Sequence, residues 1–89
     1  MNSGKNWVLY IDDSVYKFLA KIPRKNAEHI LSVIQNLPTD PFHGDIQKMK
    51  GEQNVWRRRI GAYRIRYEII PTEKIIHVFL AERRTSSSY

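Results

Sequence analysis

The chain has 89 residues, with 15 Lys+Arg against nine Asp+Glu, a net charge of +6 and no cysteine. That length suits one domain, residues 1–89, with a core of its own. The lack of cysteine excludes a disulfide-stapled fold and is compatible with a reducing, cytoplasmic setting. The opening MNSGKNWVLYIDD holds no apolar run long enough for a signal peptide, and no stretch approaches a transmembrane span. No membrane partner is therefore expected. The apolar and aromatic content is that of a folded globule and not of a disordered basic tail.

In chain order, residues 7–11 are a short apolar run and predict a buried strand. Asp12, Asp13 and Ser14 offer capping oxygens for a helix start. Val15, Phe18, Leu19 and Ile22 then fall at i, i+3, i+4 and i+7, one apolar stripe. Pro23 stops that helix and suits the first turn of another. Ala27, Ile30, Leu31 and Ile34 repeat the spacing, Leu37 extends it, and Pro38 and Pro41 end it. Two amphipathic helices joined at a proline make an antiparallel hairpin.

After Pro41 the period changes. Residues 38–54 are rich in proline, glycine and polar groups and read as a loop, with a short strand at 48–50. Residues 55–60 predict a strand, Gly61-Ala62 a tight turn, and 63–70 an alternating strand. In it Ile65, Tyr67 and Ile69 point one way and Arg64, Arg66 and Glu68 the other. Residues 71–74 form the next turn, and the β-branched run 75–81 suits a central strand. The expected architecture is α+β: an N-terminal strand and a helical hairpin packed on a twisted antiparallel sheet.

All of the net charge lies in residues 48–66, KMKGEQNVWRRRIGAYRIR. Seven Lys/Arg minus one acid, Glu52, give +6, the same as the whole chain. A neutral protein with one concentrated basic segment is built to meet a polyanion, and a nucleic-acid backbone is the foremost one. Arg57 and Arg59 share one face of their strand, as do Arg64 and Arg66 of theirs. A tight hairpin brings the four together. Like charges side by side destabilise a sheet, so such a cluster calls for an anionic partner. If solubility alone were the purpose, lysine and glutamate would serve without the repulsion. Arg58 is placed by alternation with Trp56 and Ile60, toward the helices, unless it snorkels out at the edge or a bulge turns it.

The run WRRRIGAYRIRYEI, a turn, an apolar strand and then ERRTSSSY resembles the RelE/ParE superfamily of toxins from toxin–antitoxin pairs. The resemblance covers nearly the whole chain and favours the RelE branch. It implies a cognate antitoxin as partner, and cleavage of messenger RNA on the ribosome by 2′-hydroxyl attack, without metal or other cofactor. The family's basic residues on the first hairpin strand fall on Arg57 and Arg59, its arginine after the turn tyrosine on Arg64, and its arginine after the last strand on Arg83. Its C-terminal tyrosine, six residues further on, falls on Tyr89. Catalytic roles are thus carried to Arg59, Arg64, Arg83 and Tyr89, with Arg57, Arg66, Lys48 and Lys50 holding the RNA backbone.

The chain departs from the best-studied RelE pattern, which has lysines where Arg57 and Arg59 stand. Lysine can lose a proton among cations, and arginine in practice cannot. Arg59 therefore reads as a phosphate and transition-state contact, and the general base is unassigned. Some relatives use a loop glutamate before the hairpin, where this chain offers Glu52, or a C-terminal histidine, which it lacks after His77.

Other chemistries find less support. His29, His43 and His77 show no HxxxH or HxH spacing, so no metal site is expected. His77 reads as a structural strand residue, and Trp56 and Tyr63 as core more than as stacking platforms. Three functions compete: a ribosome-dependent messenger RNA endonuclease, a ParE-type inhibitor of DNA gyrase, and a nucleic-acid-binding relic without activity. The Arg83-to-Tyr89 spacing favours the first over the second.

Overall fold

In the computed structural model, residues 7–42 and 44–84 are described. Seven elements follow in order: β1 (Val8–Ile11), α1 (Asp13–Leu19), α2 (Arg24–Asn36), β2 (Ile46–Lys48), β3 (Val55–Ile60), β4 (Tyr63–Ile70) and β5 (Ile75–Arg83). The strands form one sheet in the order β1-β5-β4-β3-β2. The pairs β2–β3, β3–β4 and β4–β5 are antiparallel, while β1 runs parallel to β5. The sheet is thus mixed, not wholly antiparallel. The helical hairpin carries the chain from β1 at one edge of the sheet to β2 at the other.

Asp12 caps α1, its carboxylate accepting the Ser14 N–H at 3.1 Å. Hydrogen bonds from the Ser14 hydroxyl and N–H hold the Asp12 carboxyl below its ordinary value. The helix ends at Leu19, so Ile22 lies in the turn before Pro23, yet it still packs on the core. Pro23 stands at the N-cap of α2, where a missing N–H costs nothing.

One face of the sheet is covered. Val15, Leu19, Ile30, Ile34 and Leu37 from the helical side meet Ile60, Tyr63, Ile65, Tyr67, Ile69, Ile76, Val78 and Ala81 from the strands. Each large apolar side chain buried there contributes about 1.5–3 kcal/mol. The Tyr67 hydroxyl donates to the Pro41 carbonyl at 3.1 Å, and burial pushes its phenol up to about 12. That bond ties Pro41 to the sheet.

Three details differ from the expectations. β1 is an edge strand, with Val8 and Tyr10 exposed, because it pairs only with β5. β2 lies two residues earlier than 48–50, in register with Trp56, Arg57 and Arg58. Gly51 (φ 78°) and Asn54 (φ 61°) instead turn the chain at 49–54. Finally, β5 is bulged: Arg66 faces Leu80 but Tyr67 faces Val78, leaving Phe79 as an extra residue. Among the described residues, no helix is long and apolar enough to cross a membrane.

Candidate functional site

The uncovered face of the sheet carries the arginines. Arg57 stands directly opposite Arg66, and Arg59 opposite Arg64. The register that creates these pairs comes from the Gly61-Ala62 turn. Gly61, at the first central position, has φ 59°, a conformation that glycine adopts without a Cβ penalty. Buried β4 residues alternate with the arginines, so packing of Ile65 and Tyr67 on the helices forces Arg64 and Arg66 outward.

Four guanidinium groups, those of Arg57, Arg59, Arg64 and Arg84, line a cavity of about 140 Å³, together with Asp45 and Gln47. Arg57 donates to the Gln47 side-chain oxygen, which holds its fork over the β2 edge. Glu82, across from Arg64, lies 3.7 Å from Arg64 Nε and 3.6 Å from Arg66 Nη2. It offsets part of the repulsion, but the Nε atoms of Arg64 and Arg66 are buried without a hydrogen-bond partner. Arg84 closes the cavity from the end of β5. Its N–H donates to the Ala62 carbonyl at 2.8 Å, and its Nη1 lies 3.5 Å from the Gly61 carbonyl. Planar, permanently charged forks around a pocket of this size suit an oxyanion such as a phosphodiester.

Of the residues singled out from sequence, Arg57, Arg59 and Arg64 come together as expected, with Arg66 beside them. Arg83 does not join them. It pairs with Tyr63 on the covered side, with its guanidinium 5.8 Å from the Tyr63 ring centre. The cause is the bulge at Phe79. Strict alternation from Val78 would put Arg83 among the arginines, but the extra residue moves Ala81 and Arg83 to the helix side and sends Glu82 and Arg84 outward. Lys48 also faces the other way, opposite Trp56. Lys50 and Glu52 belong to the 49–54 turn, away from the cavity. Tyr89 and His43 lie outside the described residues.

Asp45, Gln47 and Arg84 are the cavity residues that sequence reading missed. For the first two, placing β2 at 46–48 was the needed signal, since it sets Gln47 beside Arg57. Arg58 points toward the helices as alternation implied. It lines a depression with Val33, Asn36, Thr39 and Asp40, its guanidinium lying under Gly44. Trp56 packs on the core and against Phe42, ring centres 5.4 Å apart. Tyr63 is buried and accepts from Asn26 Nδ2 at 3.1 Å. His77 sits in β5 opposite Glu68, its ring 6.1 Å from that of Phe79. Among the described residues, no group of three or more His, Cys, Asp or Glu is placed to hold a metal ion.

Comparison with known proteins adds the following. Residues 9–85 match the family described as the ParE toxin of type II toxin–antitoxin systems, parDE. The RelE1 protein of Methanocaldococcus jannaschii is 32% identical over 77 residues, covering 83% of this chain and 86% of its own. The RelE–RelB complex of Pyrococcus horikoshii superposes with a TM-score of 0.79 at 23% identity, over 91% of this chain and 98% of that one. The RelB–RelE antitoxin–toxin complex of Methanococcus jannaschii gives 0.71 at 25% identity, over 86% and 92%. Isolated Escherichia coli RelE gives 0.76 at 17% identity, over 92% and 88%, a likeness of fold.

Proposed function

Because this chain belongs to the ParE toxin family of type II toxin–antitoxin systems and has a RelE-like fold, we propose that it is a messenger RNA endonuclease acting on the ribosome. The observation that carries this reading is the cavity where Arg57, Arg59, Arg64 and Arg84 converge.

The chemistry follows from what those groups can do. A ribose 2′-oxygen attacks the neighbouring phosphorus and the bond to the 5′-oxygen breaks, leaving a 2′,3′-cyclic phosphate and a 5′-hydroxyl. Charge builds on the non-bridging oxygens as the phosphorane forms. Guanidinium groups fixed around it stabilise that charge more than they stabilise the ground state. Removing one such donor typically costs on the order of 10²–10³-fold in rate. On this reading Arg57, held by Gln47, grips the backbone, and Arg59, Arg64 and Arg84, which line the same cavity, surround the reacting phosphate. Arg66 adds positive field beside them.

The same face suits a protein partner. The solved RelE–RelB complexes pair proteins of this fold with an antitoxin. A cognate antitoxin with an acidic or amphipathic segment would neutralise the exposed arginines until it is released. The site of action is then the cytoplasm, where ribosomes are.

The test is 3′-end mapping of RNA after induction in cells, repeated on programmed ribosomes with purified protein. Breaks positioned by codon support the reading. Intact messages with damaged DNA would overturn it in favour of gyrase poisoning.

A further inference from the structure

Resting on the reading of this cavity as an RNA-cleaving site, we propose that Asp45 is its general base, the group that takes the proton of the attacking 2′-hydroxyl. Such an attack needs a proton acceptor, and arginine cannot serve as one. Among the described residues lining the cavity, Asp45 is the one carboxylate.

Its pairing state separates it from the other oxygens of this face. Glu82 is committed to Arg64 and Arg66, and the Gln47 oxygen to Arg57. The Asp45 carboxylate, in a cavity lined by four guanidinium groups, forms no hydrogen bond or ion pair with a described residue. Its lone pairs are available to a ligand, as a proton acceptor requires.

Its position is built, not incidental. The Asp45 carbonyl accepts the Arg59 N–H at 3.0 Å, and the Ile46 N–H donates to the Gly44 carbonyl at 3.0 Å. The base is therefore pinned to the same strand that presents Arg57 and Arg59. Gly44 has φ 97°, and a Cβ there would lie 2.5 Å from Arg58 Cζ. Arg58, the arginine that alternation sends to the other face, thus props the loop that carries Asp45.

In the step assigned to it, the 2′-hydroxyl proton passes to an Asp45 carboxylate oxygen as the 2′-oxygen bonds to phosphorus. The 5′-oxygen leaves with the electron pair of the broken bond and takes a proton from water. The hydroxide so formed recovers the proton from Asp45, which returns as carboxylate. Nothing is oxidised or reduced.

The experiment compares wild-type protein with Asp45→Asn and Asp45→Ala on programmed ribosomes, measuring kcat and, with a 2′-deoxy message that cannot be cut, Kd. Asp45→Asn is expected to lower kcat by roughly 10²–10⁴-fold, with binding of the uncut message unchanged or tighter. Added formate should restore part of the Asp45→Ala rate. Glu52→Gln should cleave as wild type does. If the wild type cuts and Asp45→Asn cuts at a similar rate, the assignment falls while the endonuclease reading stands. If Asp45→Asn loses binding in parallel with cleavage, or formate leaves Asp45→Ala unchanged, Asp45 is a binding or structural group and the assignment also falls. If the wild type itself does not cut, the endonuclease reading fails and takes the assignment with it.

Discussion

Exchange of Arg83 and Arg84 between faces is the most exposed consequence of the β5 bulge, and it is measurable without catalysis. Arg84 lines the arginine-rich cavity, whereas Arg83 lies 5.8 Å over Tyr63 on the covered side. Each phosphate contact to a single strand contributes a slope of about 0.7 in log K against log salt. Arg84→Ala should therefore lower the slope by about 0.7. Over a fourfold rise in salt, its binding should weaken by a factor roughly 2.6 times smaller than that of the wild type. Arg83→Ala should leave the slope unchanged. It loses a cation–π contact at a half-exposed site, worth about 0.5–1 kcal/mol. For a domain of this size that lowers Tm by roughly 2–8 °C. The assay is fluorescence anisotropy with a labelled 2′-deoxy-protected RNA across a salt series, beside thermal melts of both variants. A reduced slope for Arg83→Ala, with Arg84→Ala like wild type, would refute the register argued here.

Four further outcomes are expected. Tyr67→Phe leaves the buried Pro41 carbonyl without its donor and should cost about 1–3 kcal/mol in denaturant unfolding. Because burial raises the Tyr67 phenol from 10.0 to about 12, the neutral form is favoured in the fold. Its contribution is complete below pH 10 and is lost as pH rises toward 12, amounting to on the order of 2 kcal/mol; Tyr67→Phe should flatten that decline in pH-dependent melts. Asp12→Ala removes the α1 cap, and since the Asp12 carboxyl is lowered in the fold, the wild-type advantage should be present above the unfolded value of 3.8 and vanish as pH falls below it. Deleting residues 86–89, and with them Tyr89, should strongly reduce message cleavage on ribosomes while far-ultraviolet circular dichroism stays unchanged.

Much of the fold was readable because its signals are periodic. Val15, Leu19, Ile30 and Ile34 fall at helical spacing and Ile65, Tyr67 and Ile69 at period two, and all are core residues. What period cannot reveal is where it breaks. One extra residue at Phe79 inverts the faces of everything after it in β5, so Arg83, singled out by the resemblance, lies opposite Tyr63 and it is Arg84 that lines the cavity. The parallel pairing of β1 and the edge position of both β1 and β2 depend on long-range contacts that a local run of apolar residues does not encode. Asp45 escaped notice for a related reason. A three-residue strand flanked by glycines has too few residues to show a period, and its register comes from the Met49 N–H donating to the Val55 carbonyl and the Arg59 N–H to Asp45.

The two faces of the hairpin explain how such a site can exist in so small a protein. Directly opposed like charges cost about 0.2–1 kcal/mol per pair, and this sheet holds two such pairs, Arg57 with Arg66 and Arg59 with Arg64. The same β3 and β4 residues that alternate with them, Ile60, Tyr63, Ile65 and Tyr67, lie at 6% exposure or less against the helices. Burial of any one of these contributes more than a repulsive pair removes. The core therefore secures the register that the Gly61-Ala62 turn sets, and the register holds the arginines together whether or not an anion is present. A site organised in this way does not need its ligand in order to form, which is what an electrostatically preorganised phosphate cavity requires. It also means that neutralising Arg59 and Arg64 together should raise stability while removing cleavage. Arg59→Gln/Arg64→Gln is expected to melt higher than the wild type at low salt, with the gain shrinking as salt screens the repulsion. A double variant that melts lower at low salt would show that these arginines hold the sheet together, and that the face was shaped for stability before it was shaped for an anion.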